Sequence, residues 1–370
     1  MLAKNKISDL LKKSDIIING HRDWDIQIHD NRFYQKVLSK GSIGMGESYM
    51  KGWWDSKQLD QTISQILYYK QDLNLKFNLP EIWLYFKAYL FNLQSKSKAE
   101  NSVTKHYDLG NELYMQFLDP YNQYSCAYFK KTTDLDIAQE LKLDLICRKL
   151  QLKQGDKVLD IGCGWGGFAK FAAERYKCEI TGITLSNNQY EYAQSFCKEL
   201  PIKILKQDYR DLSGSYDKVV SIGMIEHVGY KNYNNLFKKV HDILKPEGIF
   251  VLQTIGGNLP KKQIDPWINR YIFPNAMIPS ISQLSAAYEK LFNMEDLHNM
   301  GPHYDLTLMS WFKNFHNNWS KIKVNYDDQF YRMWKYYLLT CAGAFRSRHL
   351  QLWQFIFTKN GFLDQFEAPR

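Results

Sequence analysis

A carboxylate followed by four glycines, Asp160-x-Gly162-x-Gly164-x-Gly166-Gly167 within VLDIGCGWGG, is the densest chemical signal in the chain. Glycines at such spacing let a strand-to-helix turn bring its backbone N–H groups against a ligand. Two ligand chemistries fit the glycines alone. A dinucleotide pyrophosphate fits the G-x-G-x-x-G spacing of Gly162, Gly164 and Gly167, and asks for an acidic residue about 20 positions later to hold the ribose. A sulfonium amino acid such as S-adenosylmethionine fits the carboxylate of Asp160, which receives an ammonium and repels a pyrophosphate. The following strand ends in GITLSNNQ, Gly182 to Gln189, where hydroxyls and amides stand in place of the expected acid. The sulfonium reading is favoured, and a bare tight turn leaves the four glycines unexplained.

The elements that must position this turn alternate. KVLDI from Lys157 is a short apolar strand, GFAKFAAERY a helix and EITGIT a strand. SNNQYEYAQSFCKEL reads as a helix capped by Ser186, IKIL as a third strand and DKVVSIG, Asp217 to Gly223, as a fourth. NYNNLFKKVHDIL is a helix ending before Lys245-Pro246-Glu247-Gly248, and IFVLQTI is a fifth strand. This alternation predicts a parallel sheet with helices on both faces, its ligand beyond the strand C-termini. Lys261 to Met300 is proline-rich and less regular, which suggests an insertion covering the site; LWQFIFTK, Leu352 to Lys359, reads as a late strand closing the sheet edge.

Composition bounds the rest. The 370 residues are 45% hydrophobic and 24% charged, ordinary for a globular protein with two or three domains. The net charge of +9 is concentrated at the ends: residues 1–100 hold 15 Lys/Arg against 11 Asp/Glu, and residues 301–370 hold 9 against 5. Without a compact Lys/Arg run, this balance favours an anionic lipid surface or plain solvation over nucleic acid. The six cysteines show no C-x-x-C pair or zinc spacing, and MLAKNKISDL carries no secretory pattern, so no metal site is expected and the reducing cytoplasm is the expected compartment. No apolar run approaches the ~18 residues that cross a bilayer. IWLYFKAYLFNL, Ile82 to Leu93, is interrupted by Lys87 and reads as an amphipathic or core helix. The polar QSKSKAEN, Gln94 to Asn101, reads as a linker. The expected division is a helical domain over 1–98, for lipid docking or a dimer contact, and a catalytic domain over 99–370 with an insertion at about 260–345.

Beyond the glycine turn, HYDLGNELY (106–114), YSCAYF (124–129), TLSNNQ (184–189), QDYRDL (207–212), GMIEHVG (223–229), DPWINRYIFPN (265–275), GPHYDLTLMSW (301–311) and TCAGAFRSRHLQLWQ (340–354) occur in one order. Together with VLDIGCGWGG they resemble the cyclopropane-fatty-acyl-phospholipid synthase family, and GSIGMGESYMKGWW (41–54) and FNLQSK (91–96) resemble its bacterial N-terminal region. The resemblance covers nearly the whole chain. It implies a class I S-adenosylmethionine-dependent methyltransferase fold, Rossmann-like with a mostly parallel seven-stranded sheet, and a smaller helical N-terminal domain.

The resemblance also implies roles. S-adenosyl-L-methionine would be held by Tyr124 and Ser125, by Leu159, Asp160, Gly162, Gly164, Trp165, Gly166 and Gly167, by Thr184, Leu185, Ser186 and Gln189, and by Tyr209 and Arg210. A cis double bond of a phospholipid acyl chain would attack the sulfonium methyl, and a proton lost from that methyl would close a three-membered ring. Bicarbonate is the implied base, with Cys126, Glu226, Gln253, Ile255 and Tyr304 as its holders and Cys341 as a further active-site residue. Each has a plainer reading as well: Cys126 and Tyr304 as packing residues, Glu226 and His227 as a helix cap, Cys341 as part of a buried helix.

One position departs from the family. A histidine stands where this chain has Gln253 in VLQTIG, and an amide hydrogen-bonds an anion without relaying a proton. Three functions stay open on this ground: ring formation on unsaturated phospholipids, methylation giving branched lipids or an N-methylated amine, and lipid binding without turnover. The substrate implies a phospholipid bilayer as partner, peripheral attachment to the inner face of the cell membrane and no nucleic acid. Trp53, Trp54 and the Ile82–Leu93 face are the docking or homodimer candidates.

Overall fold

The computed structural model describes residues 2–69, 110–261, 263–363 and 366–370. The Ile82–Leu93 stretch, the expected linker, the boundary near residue 98, FNLQSK and the first four residues of HYDLGNELY lie outside the described residues.

The described N-terminal part is helical: α1 (Leu2–Lys13), α2 (Arg32–Met50) and α3 (Leu59–Tyr69), with a two-stranded ribbon of β1 (Gln27–Ile28) and β2 (Trp54–Asp55). The glycine-rich GSIGMG falls inside α2 and kinks it at Gly41, whose φ of 53° lies in the left-handed region that glycine tolerates. Two short helices follow beyond residue 110, α4 (Asn111–Met115) and the longer α5 (Leu135–Lys149).

The sheet then forms from β3 (Lys157–Ile161), α6 (Gly167–Tyr176), β4 (Glu179–Thr184), α7 (Asn187–Phe196), β5 (Ile202–Lys206), β6 (Tyr216–Ile222), α8 (Tyr233–Ile243) and β7 (Leu244–Gly257). The chain continues through α9 (Pro266–Tyr271), α10 (Ile281–Tyr288), β8 (Asn293–Asn299), α11 (Gly301–Ile322), α12 (Asp328–Arg346) and β9 (Leu350–Thr358). Seven strands pair in the order β5-β4-β3-β6-β7-β9-β8. The first five are mutually parallel, and β9 runs antiparallel to both β7 and β8. The chain is thus an α/β protein of the expected class, with the order reversing between β3 and β6 to leave a crevice beyond their C-terminal ends.

Two expectations are corrected. β9 does not close the sheet edge: it inserts between β7 and β8, and β8 forms that edge. The proline-rich segment, expected as a covering insertion, is built into the sheet domain: β8 extends the sheet and Leu284 of α10 packs among Phe237, Phe250 and Phe357 of the sheet core.

The N-terminal helices share one apolar core with α11 and α12. Tyr49 and Trp54 meet Tyr336 with ring centroids 5.3 and 6.5 Å apart, and Trp267 meets the same ring at 4.6 Å. Arg332 of α12 donates to the backbone oxygens of Tyr49 and Trp54 and to Asp55. Trp54 is therefore core: it is fully buried, and its indole donates to Met45 O and Ser48 Oγ. Trp53 remains half-buried, flanked by the cations of Arg32 at 4.5 Å and Lys51 at 5.4 Å. No described helix is long and apolar enough to cross a membrane.

Candidate functional site

Beyond the C-terminal ends of β3, β4 and β6 lies a cleft that opens to solvent. Its floor is the glycine turn. Gly162, Gly164 and Gly166 have φ of 84°, 55° and 86°, and the N–H groups of Gly162 and Cys163 both donate to Ile183 O, which ties the turn to the end of β4. Asp160 is fully buried at the end of β3, and burial pushes its carboxyl up to about 7 against the opposing effect of Lys142.

The next wall comes from the β4–α7 junction. Ser186 caps α7 by accepting from Gln189 N, while the Thr184 hydroxyl donates to Gln189 Oε1 at 2.9 Å. Opposite, Asp208 caps a single turn at Tyr209–Asp211 and pairs with Arg210 at 3.0 Å, and the Arg210 guanidinium lies over the Tyr209 ring. The Tyr209 hydroxyl is buried with no hydrogen-bond partner among the described residues. A buried hydroxyl in that state is suited to a ligand or a water.

The roof is the strap Tyr121–Phe129. The Asp119 carboxylate accepts from the N–H groups of Tyr121 and Gln123, and Tyr124 runs its ring against Trp311 and its hydroxyl to Tyr337 at 2.8 Å. Farther on, Ala127 N donates to Thr307 Oγ1 and Phe129 N to His303 Nδ1, so the strap leads from the cleft to α11.

Of the residues expected at the cofactor, Tyr124, Ser125, Asp160, Gly162, Gly164, Trp165, Thr184, Leu185, Gln189, Tyr209 and Arg210 line this one cleft. Leu159, Gly166, Gly167 and Ser186 do not. The Leu159 side chain belongs to the sheet core, Ser186 spends its hydroxyl on the cap, and the two glycines let α6 approach its neighbours. The cleft is also lined by residues that motif matching passed over: Asn122, Gln123, Asp208, Met224 and His227. Asp208 and His227 sit inside quoted motifs, QDYRDL and GMIEHVG. Burial pushes the His227 imidazole down to about 4, so it stays neutral beside a cationic ligand.

The residues expected to do chemistry divide. Glu226, on a single turn at Ile225–His227, accepts from Ile255 N at 2.7 Å through Oε1, and its backbone oxygen accepts from Met277 N. Its buried Oε2 has no hydrogen-bond partner among the described residues; burial raises the carboxyl to about 7, against smaller opposing effects of the Ile255 N–H and the Thr254 hydroxyl. Cys126, Ile255, Tyr304 and Cys341 pack in one apolar cluster with Trp311 and Phe345. Burial pushes the Cys126 thiol up and that of Cys341 up to about 12, so both are neutral and neither is a ready nucleophile. The Gln253 amide oxygen accepts from Gln354 Nε2 at 2.7 Å, its partner in β9, and this bond orients the Gln253 amide group through its oxygen alone.

Comparison with known proteins adds to this geometry. Residues 94–355 match the family described as mycolic acid cyclopropane synthetase. The chain is 48% identical over 352 residues to the cyclopropane-fatty-acyl-phospholipid synthase of Escherichia coli (strain K12), covering 95% of this chain and 92% of that one. It is 32% identical over 358 residues to sphingolipid C9-methyltransferase A of Emericella nidulans, covering 90% and 68%. Among solved structures, mycolic acid cyclopropane synthase CmaA1 complexed with SAH and CTAB matches with a TM-score of 0.67 and 32% identity, over 70% of this chain and 98% of that one.

Proposed function

The chain belongs to the mycolic acid cyclopropane synthetase family and uses S-adenosylmethionine to convert unsaturated phospholipid acyl chains to cyclopropane chains, and we propose that Glu226 holds bicarbonate as the ring-closing base. The observation that carries this reading of the base is the orphaned Glu226 Oε2. A carboxyl raised to about 7 carries a proton for much of its time near neutral pH, so Oε2 offers an O–H to an anion instead of repelling it. The residues fit the group on that ground. Bicarbonate, when bound, supplies a base that the cation beside it does not alkylate irreversibly. Glu226 orients it and accepts or returns one proton at Oε2, while Ile255 N–H fixes the other oxygen.

The chain's other residues bind and shield. Asp160 takes the ammonium of the sulfonium amino acid, with Thr184 and Gln189 at its ribose and Tyr209 at its adenine. The alkene carbon bonds to the methyl as the methyl–sulfur bond breaks, and the neutral thioether leaves. The positive charge passes to the acyl chain, where the aromatic faces of Tyr124, Trp311 and Phe273 stabilise it. Loss of a methyl proton then supplies the electron pair for the third ring bond. The acyl chain is drawn from the inner face of the cell membrane, with the Arg32–Trp53–Lys51 group as the interfacial contact.

Incubation with S-adenosylmethionine and vesicles of cis-unsaturated phospholipid is expected to add one CH2 per modified chain and to remove the alkene, by mass spectrometry and proton NMR. Depleting bicarbonate is expected to slow this turnover, with recovery on its addition. A product that keeps a double bond defeats the ring-closing reading, and a rate indifferent to bicarbonate defeats the base.

Asp160 gives a pH test of the cofactor side. A cationic ligand binds the ionised carboxyl, which is lost as pH falls through about 7. Affinity for S-adenosylhomocysteine is expected to weaken by about tenfold per unit below that point and to level off between there and about 8, where the neighbouring Lys142 ammonium is lost. His227, near 4, stays out of this window. Calorimetric titration at several pH values checks the slope, and Asp160→Asn is expected to flatten it; a flat wild-type profile removes Asp160 from the ammonium.

A further inference from the structure

Behind the cleft, α5 turns a polar-looking face inward. Gln139 and Lys142, three residues apart and so on one helix face, are both fully buried. Gln139 Nε2 donates to Ser125 O at 2.9 Å and to Gln123 O at 3.3 Å. Lys142 Nζ donates to Ser125 Oγ at 3.0 Å and to Gln123 Oε1. One helix therefore grips the strap twice, once by its carbonyls and once by its side chains, at the residues that roof the cofactor cleft.

The charges around Lys142 have a count of their own. Asp119 and Cys126 act on it from the strap and Asp160 from β3. The Cys126 thiol is neutral and burial lowers the Lys142 ammonium to about 8, so below that pH two buried carboxyl groups, both raised by burial, share one buried ammonium. No ion pair within 4 Å joins them among the described residues; the coupling acts through a low-dielectric interior, where it is strong. A cation entering the cleft beside Asp160 would add to Lys142 in favouring the ionised carboxyl.

We propose that Lys142 is a positioning residue of the cofactor site: it holds the Gln123–Ser125 strap over the cleft and supplies the buried positive charge against which Asp160 stays anionic for the incoming sulfonium amino acid. The proposal rests on the reading of the cleft as an S-adenosylmethionine site. It assigns a role to a residue that does not line the cleft.

Lys142→Gln keeps a polar side chain for Ser125 and Gln123 but removes the charge, and Lys142→Met removes both. For each, S-adenosylhomocysteine affinity is measured by calorimetry from pH 6 to 8.5, with thermal unfolding as a check on folding. At pH 7, Lys142→Gln is expected to bind about fivefold more weakly than wild type. The midpoint of its affinity–pH profile is expected to move upward by about one unit, because Asp160 has lost its counter-charge. Lys142→Gln/Asp160→Asn is expected to bind no worse than Asp160→Asn alone by more than about threefold. An unmoved midpoint in Lys142→Gln, or additive losses in the double variant, overturns the electrostatic role. Should Lys142→Met fail to fold, the Lys142→Gln midpoint decides. Failure of the wild type to bind S-adenosylhomocysteine at any pH overturns the cofactor reading itself and the Lys142 role with it.

Discussion

Glu226→Gln is expected to lower ring formation at saturating S-adenosylmethionine and lipid by about a hundredfold or more, the range for loss of a positioned proton-transfer group. Affinity for S-adenosylhomocysteine is expected to stay within about threefold of wild type. The substitution is close to isosteric. Its amide oxygen still accepts from Ile255 N, so the turn at Ile225–His227 and the contact to Met277 keep their geometry. What changes is the orphaned oxygen: an NH2 there donates to an anion but neither gives up nor accepts a proton.

Stability provides the control. The wild-type carboxyl is raised from 4.5 to about 7 by burial, so its contribution is fully present below 4.5 and is lost as pH rises through 7. The glutamine variant lacks that loss and is expected to be at least as stable as wild type at pH 8. Activity near wild type shows that Glu226 only shapes the turn; reduced activity with reduced stability at pH 8 assigns the effect to misfolding.

The parts of this site that sequence made legible are those fixed by local chemistry. Gly162, Gly164 and Gly166 occupy backbone conformations that other residues resist, Ser186 is a helix cap by type and position, and the β3 to β7 runs are apolar because both sheet faces are covered. What stayed hidden depends on pairing across the chain. NMEDLHN of β8 is polar and at most half-buried, as an edge strand can be, so no apolar run marks it. The Gln253–Gln354 amide pair exists only because β9 inserts beside β7. Nothing in QELKLDL marks Lys142, whose burial depends on the strap folding over it, and Trp54 reads as interfacial until α12 brings Tyr336 against it.

The most severe single-methyl change in the cofactor turn is expected to be Gly167→Ala. Gly167 opens α6 with ordinary helical backbone, so strain is not the obstacle. A Cβ there meets Tyr121 O at 1.8 Å and Gln123 Nε2 at 2.3 Å. Neither yields cheaply: the Asp119 carboxylate fixes Tyr121 and Gln123 by their N–H groups, and Lys142 holds the Gln123 side chain. Relief therefore moves the strap, and with it Tyr124 and Ser125 in the cleft. A loss of about 3 kcal/mol in denaturant unfolding is expected, at the upper end for overpacking, with at least a tenfold loss of S-adenosylhomocysteine affinity. Gly164→Ala separates space from conformation, because its Cβ meets nothing within 4 Å and only the φ of 55° is strained. That variant is expected to lose about 1 kcal/mol. If Gly167→Ala is no less stable than Gly164→Ala, the strap gives way freely, and neither Asp119 nor Lys142 holds it where the cofactor needs it.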